Sequence, residues 1–123
     1  MKRSAIAKGG ICGAIAVILG AFGAHALRDY LSEDQLRVFH TGVEYQFYHS
    51  LALVGVGVIY SQFQNKWIRY SGYSFFIGII LFSGSLYLLA AFSSLSYFGI
   101  ITPIGGLCLI AGWIFLSVGV LKK

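Results

Sequence analysis

The stretch GAFGAHAL, residues 20–27, decides how many times this chain crosses a membrane. Ala24-His25-Ala26 has the small-x-small form of a signal-peptide cleavage site, preceded by Lys2, Arg3, Lys8 and an apolar run. Left uncut, the same residues end a permanent helix, and His25 becomes an ionisable group near lipid. One reading leaves three spans, the other four.

Composition sets the class. Of 123 residues, 58% are hydrophobic and only 11% are charged, too few charges to cover the surface of a soluble domain this small. Sixteen glycines against a single proline suit closely packed membrane helices better than a loop-rich fold. Four apolar stretches approach the roughly 20 residues that cross a bilayer. They run over Ile6–Leu27, Thr41–Tyr60, Ser71–Phe92 and Pro103–Leu121. The expected fold is an all-α, four-helix transmembrane bundle in one domain, residues 1–123.

Lysine and arginine orient it. With four spans, Lys2, Arg3, Lys8, Lys66, Arg69, Lys122 and Lys123 share one side, against Arg28 and Arg37 on the other. Both termini are therefore expected in the cytoplasm, with the chain multi-pass in a bacterial cell membrane. The net charge of +5 reflects this topology and an anionic inner leaflet. No basic stripe lies on a soluble surface, so nucleic acid is not an expected partner. Cys12 and Cys108 fall inside predicted spans and read as small apolar fillers, not as a disulfide or metal pair.

Small residues mark the packing faces. Gly9, Gly13, Ala16, Gly20 and Ala24 keep to one stripe of the first span, and Gly105, Gly112 and Gly119 recur every seven residues in the fourth. Such faces admit a helix of the same chain or of a second copy, and a homo-oligomer is expected. Ser32-Glu33-Asp34-Gln35 resembles a capping box that starts one long helix running into the second span. Thr102-Pro103 reads as the start of the fourth. A weak two-plus-two repeat pairs residues 49–60 with 105–116.

Against this apolar background the polar residues stand out. The topology brings His25, Glu44, Gln46 and His49 to one level in the outer part of the bundle, where Tyr87 and Thr102 approach. Gly42, Gln46 and His49 follow at spacings of four and three on one face, with Tyr45 four before His49. Glu44 and His49 are five apart and point about 140° from each other. A polar group in a membrane is costly unless paired or wetted, so each is a candidate for interhelical hydrogen bonding or for a ligand or proton role. For His25 and His49 interhelical bonding weighs more. His25, Glu44 and His49 match no established metal spacing. Two histidines on separate helices can ligate haem, but no CxxCH accompanies them. No nucleophile elbow, phosphate-cradling loop or HExxH is present, so no catalytic residue is assigned and an enzyme is not expected.

GAFGAHAL (20–27), TGVEYQFYHSLAL (41–53), LFSGSLYLL (81–89) and the TPIGG…AGW end (102–113) together resemble domain of unknown function 423, also called uncharacterised protein family 0382. These are small bacterial inner-membrane proteins. The resemblance implies four spans, with GAFGAHAL retained in the first helix, and it carries no catalytic assignment. His25, Tyr45, Gln46, His49, Ser83, Gly84, Tyr87, Thr102 and Pro103 fall inside its motifs. Cleavage after Ala26 would also discard the small-residue face of the first span, so a permanent helix is expected. Three functions remain in view: a structural or regulatory protein supporting membrane or envelope integrity, a transporter, channel or proton-linked carrier lined by the His/Glu cluster, and a protein that binds lipid, quinone or haem. The first is preferred, with no cofactor.

Overall fold

Ser32 fixes where the longest helix begins. Its hydroxyl accepts the Gln35 N–H at 3.1 Å, and the Gln35 side-chain oxygen accepts the Ser32 N–H at 2.8 Å. Glu33 and Asp34 fill the first turn, where the positive end of the helix favours them. The structure, a computed structural model, describes residues 2–92 and 99–122. Helix α1 (Lys2–Ile18) passes through a π-helical turn, Leu19–Gly23, into the short α2 (Ala24–Leu27). Then follow α3 (Glu33–Ile59), α4 (Lys66–Ala91) and α5 (Ile101–Leu121), with no strand among the described residues. GAFGAHAL thus lies in the π turn and α2, within the apolar helix Lys2–Leu27.

Element starts differ from the sequence reading where a cap rules. Hydropathy starts the third span at Ser71, but α4 begins at Lys66, because the side-chain Oδ1 of Asn65 accepts the N–H groups of Trp67 (3.0 Å) and Ile68 (3.2 Å). The expected Thr102 cap is not used. Ile100 precedes α5 without a side-chain cap, and Thr102 and Pro103 lie within the first turn, where proline lacks only an N–H that has no helical partner. Of the expected serine-rich link Ser93–Thr102, residues 93–98 lie outside the described residues.

Among the described residues, three helices are long and apolar enough to cross a membrane: Lys2–Leu27, Lys66–Ala91 and Ile101–Leu121. Helix α3, with 27 residues, is no shorter than these, but its polar residues, Gln46 and His49 among them, leave it outside that set.

The helices pack in chain order, α1 on α3, α3 on α4 and α4 on α5, with marginal contact between α1 and α4. Missing side chains allow the close approaches. A Cβ on Gly9 would stand 2.8 Å from the Ser50 carbonyl oxygen, and one on Gly57 2.9 Å from that of Lys2. Gly13 and Gly20 face Ser50 and Val43 along the same α1–α3 seam. Between α4 and α5 two heptads interlock in antiparallel register. Gly105, Gly112 and Gly119 receive Phe82, Phe75 and Ile68, while Gly78 receives Leu109. Phe75, Ile68, Leu53 and Val56 are the largest apolar side chains wholly shielded by these seams. Ile11, Ile15, Leu51, Ile77, Ile80, Leu107 and Ile110 cover the outside, as an apolar solvent requires.

Candidate polar site between the helices

The buried face of α3 reads Gly42, Gln46, His49, Leu53 and Val56, spaced by four, three, four and three. Gln46 stands where three helices meet. Its amide nitrogen donates to the Cys12 carbonyl of α1 at 2.8 Å, and its amide oxygen accepts the Tyr87 hydroxyl of α4 at 2.6 Å. Only one orientation of the amide satisfies a carbonyl on one side and a hydroxyl donor on the other. Gln46 is 5% exposed, and its own carbonyl accepts the Ser50 hydroxyl at 2.5 Å.

His49 joins α3 to α5. The Trp113 indole N–H donates to His49 Nε2 at 3.1 Å, and His49 Nδ1 lies 2.7 Å from the Tyr45 carbonyl oxygen. An indole can only donate, so Nε2 accepts and the ring proton sits on Nδ1, donated to Tyr45. The tautomer follows from the partners. The ring is held edge-on to Trp113, with centroids 5.9 Å apart, and stacked on Tyr45 at the same separation. With both nitrogens engaged, His49 has no lone pair to offer a metal or haem iron.

The same device recurs along the seams: a short side chain donating to a carbonyl of the next helix. Ser83 of α4 donates to Gly42 of α3 at 2.6 Å, and Ser71 of α4 to Gly112 of α5 at 2.7 Å. Asn65 Nδ2 donates to Gly119 at 2.9 Å, and the Ser85 and Thr102 hydroxyls join α4 to α5 at 2.5 Å. Glycine carbonyls receive three of these bonds, since no side chain shields them.

The remaining expected cluster members lie elsewhere. Glu44 is exposed, accepting the Tyr48 hydroxyl at 3.2 Å, beside an apolar hollow lined by Ala16, Gly20, Val43 and Phe47. Tyr45 is 41% exposed and tilts against Phe82 at 4.6 Å between centroids. His25 is exposed on α2 and makes no side-chain hydrogen bond to another described residue. The structure therefore joins Gln46, His49 and Tyr87 into the interior and leaves His25 and Glu44 outside it. No group of three His, Cys, Asp or Glu among the described residues could hold a metal ion.

Trp113, Ser71 and Asn65 escaped the sequence reading of the polar layer. Asn65 carried a readable signal, a capping residue just before an apolar run. Trp113 stood in an apolar helix with a donor needing a partner. The Cys12 carbonyl had none, because a backbone acceptor looks the same at every position.

An all-helical fold with three helices among its described residues apolar enough to span a bilayer, lipid-type side chains outside and Gln46, His49 and the seam serines turned inward, is a multi-pass membrane protein. It belongs to the family described as protein of unknown function DUF423, which matches residues 19–106. A UPF0382 membrane protein of Staphylococcus haemolyticus is 43% identical over 114 residues, 93% of this chain and 92% of that one. The UPF0382 membrane protein YwdK of Bacillus subtilis is 42% identical, covering 93% of each chain. The UPF0382 inner membrane protein YgdD of Escherichia coli K12 is 40% identical over 91% of this chain and 85% of its own. The names of these relatives place the chain in the cell membrane, the inner one in Escherichia coli, and indicate no enzyme family. No solved structure matches.

Proposed function

We propose that this protein is a structural or regulatory element of the cell membrane, a four-span unit with both termini cytoplasmic that supports membrane or envelope integrity. One observation carries the reading: among the described residues no buried side-chain nitrogen or oxygen lacks a hydrogen-bond partner. Gln46, His49, Tyr87 and the seam serines each have a hydrogen-bond partner within the bundle. A proton or ion relay works through groups that exchange partners with water, and the partners of this layer are protein atoms. Catalysis meets the same objection.

Helix α3 supplies the fourth span in this reading. Its 27 residues extend about 40 Å, more than the hydrocarbon thickness of about 30 Å. Of the polar residues that lower its apolarity, Gln46 and His49 face inward, and the exposed ones, Glu44 included, lie in its first half or, like Tyr48, just past its middle. Placing α3 across the bilayer brings the basic residues near the start of α1, at the start of α4 and after α5 to one side.

Self-association belongs to the proposal but needs a new face. Gly13, Gly20, Gly105, Gly112 and Gly119 are occupied within the chain, whereas Gly10, Gly55 and Gly84 have nothing within 4 Å of where a Cβ would stand.

Gln46→Leu tests the structural role. It removes the acceptor of Tyr87 and the donor to Cys12, and should lower unfolding stability in mild detergent by about 1–2 kcal/mol, near the upper end for membrane hydrogen bonds. Proteoliposomes of the wild type should stay tight to protons and common ions at acidic and neutral pH. A proton leak that Gln46→Leu or His49→Leu abolishes would replace the structural reading with a carrier.

A further inference from the structure

The marginal contact between α1 and α4 leaves a cavity of about 380 Å³ at the end of the molecule remote from the loop before α3. Its floor includes Ala5 and Leu53, both buried, and its walls carry Lys8, Tyr60, Arg69 and Phe76. The volume falls in the range of small-ligand sites.

Its charge is the unusual feature. Two cations from different helices line one cavity, and neither is neutralised. Lys8 Nζ lies 4.8 Å from the centre of the Phe76 ring, and Arg69 donates to the Tyr60 hydroxyl at 3.0 Å. Both partners are neutral. The four acidic residues of the chain, Asp29, Glu33, Asp34 and Glu44, all precede residue 45. Glu44 lies 16 residues before Tyr60, the residue that closes the same helix, about 24 Å along its axis. No acidic side chain is near enough to pair with them, which leaves the exposed Arg69 and the half-buried Lys8 open to an anion from outside the chain. Ser4 and Tyr73 add hydroxyl donors to the walls, and the first turns of α1 and α4 bring their positive ends to the same place.

We infer that this cavity binds the phosphate of an anionic phospholipid headgroup, with Lys8 and Arg69 as its charged ligands and the apolar floor receiving the glycerol and first acyl carbons. A phosphodiester fits on three counts. It supplies the missing negative charge, and its oxygens accept from guanidinium, ammonium and hydroxyl donors together. A lipid also enters sideways, through the opening that the poor α1–α4 contact leaves. The inference rests on the basic helix ends sharing one leaflet. Binding is measured in detergent, so its failure stays distinct from failure of that topology.

The test is a titration of the full-length protein with phosphatidylglycerol, read by native mass spectrometry, with phosphatidylcholine as the zwitterionic comparison. One phosphatidylglycerol per chain should persist where phosphatidylcholine is lost. The double variant Lys8→Gln/Arg69→Gln should weaken retention about thirtyfold, the combined effect of two cations at a membrane surface. Each single variant should fall between it and the wild type. Lys66→Gln/Lys122→Gln, which removes two cations from the same end but outside the cavity, should change little. Equal loss in both double variants, or no preference for phosphatidylglycerol, overturns the site. Displacement of the lipid by millimolar inorganic phosphate reassigns the cavity to a soluble phosphate and overturns the lipid.

Discussion

Trp113 shows how one side chain can fix the chemistry of another. By donating to His49 Nε2 it settles which nitrogen of the ring carries the proton. Trp113→Phe should keep the edge contacts with His49 and Phe75 while removing the donor. The expected loss is about 0.5–1.5 kcal/mol in unfolding experiments, and an unchanged stability would mean that the bond contributes nothing. At this scale the sequence was informative about faces and silent about partners. Spacings of four and three place Gln46 and His49 together on the buried side of α3, as the periodicity of a helix requires. Topology grouped His25 and Glu44 with them by level along the membrane, while the five-residue spacing already turned Glu44 about 140° from His49. His25 and Glu44 are both exposed.

Between elements, the glycines carry the argument. Their spacing predicted close-packed faces but could not say whether the other helix came from the same chain. The partner heptad, Ile68, Phe75 and Phe82 on α4, is written in ordinary apolar residues and is visible only once the two helices are aligned. Two adjacent glycines make a sharp comparison. A methyl at Gly105 would meet the backbone of Phe82, which cannot step aside, whereas one at Gly106 would meet only the Phe82 ring at 3.8 Å. Gly105→Ala should therefore destabilise by about 1–3 kcal/mol, while Gly106→Ala should be neutral or gain up to about 1 kcal/mol from helix propensity. Equal effects in thermal unfolding would show that the seam is looser than described. The start of α4 teaches a related lesson, since hydropathy marks where lipid begins and the Asn65 cap marks where the helix does.

For the whole molecule, composition alone announced the class, an all-helical membrane protein, and the family and its relatives agree. The three apolar helices follow from the same signal. Helix α3 is the hard case, because the residues that bind the helices together also make it resemble a soluble segment. A hydropathy average charges Gln46 and His49 as if each faced lipid, although Cys12, Tyr87, Tyr45 and Trp113 satisfy them inside. The account stands or falls on α3 crossing the bilayer with that face turned inward.

Side-specific labelling of single cysteines measures this directly. With Cys12 and Cys108 replaced by alanine, Asp29→Cys and Ser61→Cys place a thiol at exposed positions just beyond either end of α3. In intact cells a membrane-impermeant maleimide should label the cysteine at position 29 and leave that at position 61 unmodified until the membrane is opened. Labelling of both from the same side would put α3 on the membrane surface and contradict the four-span account.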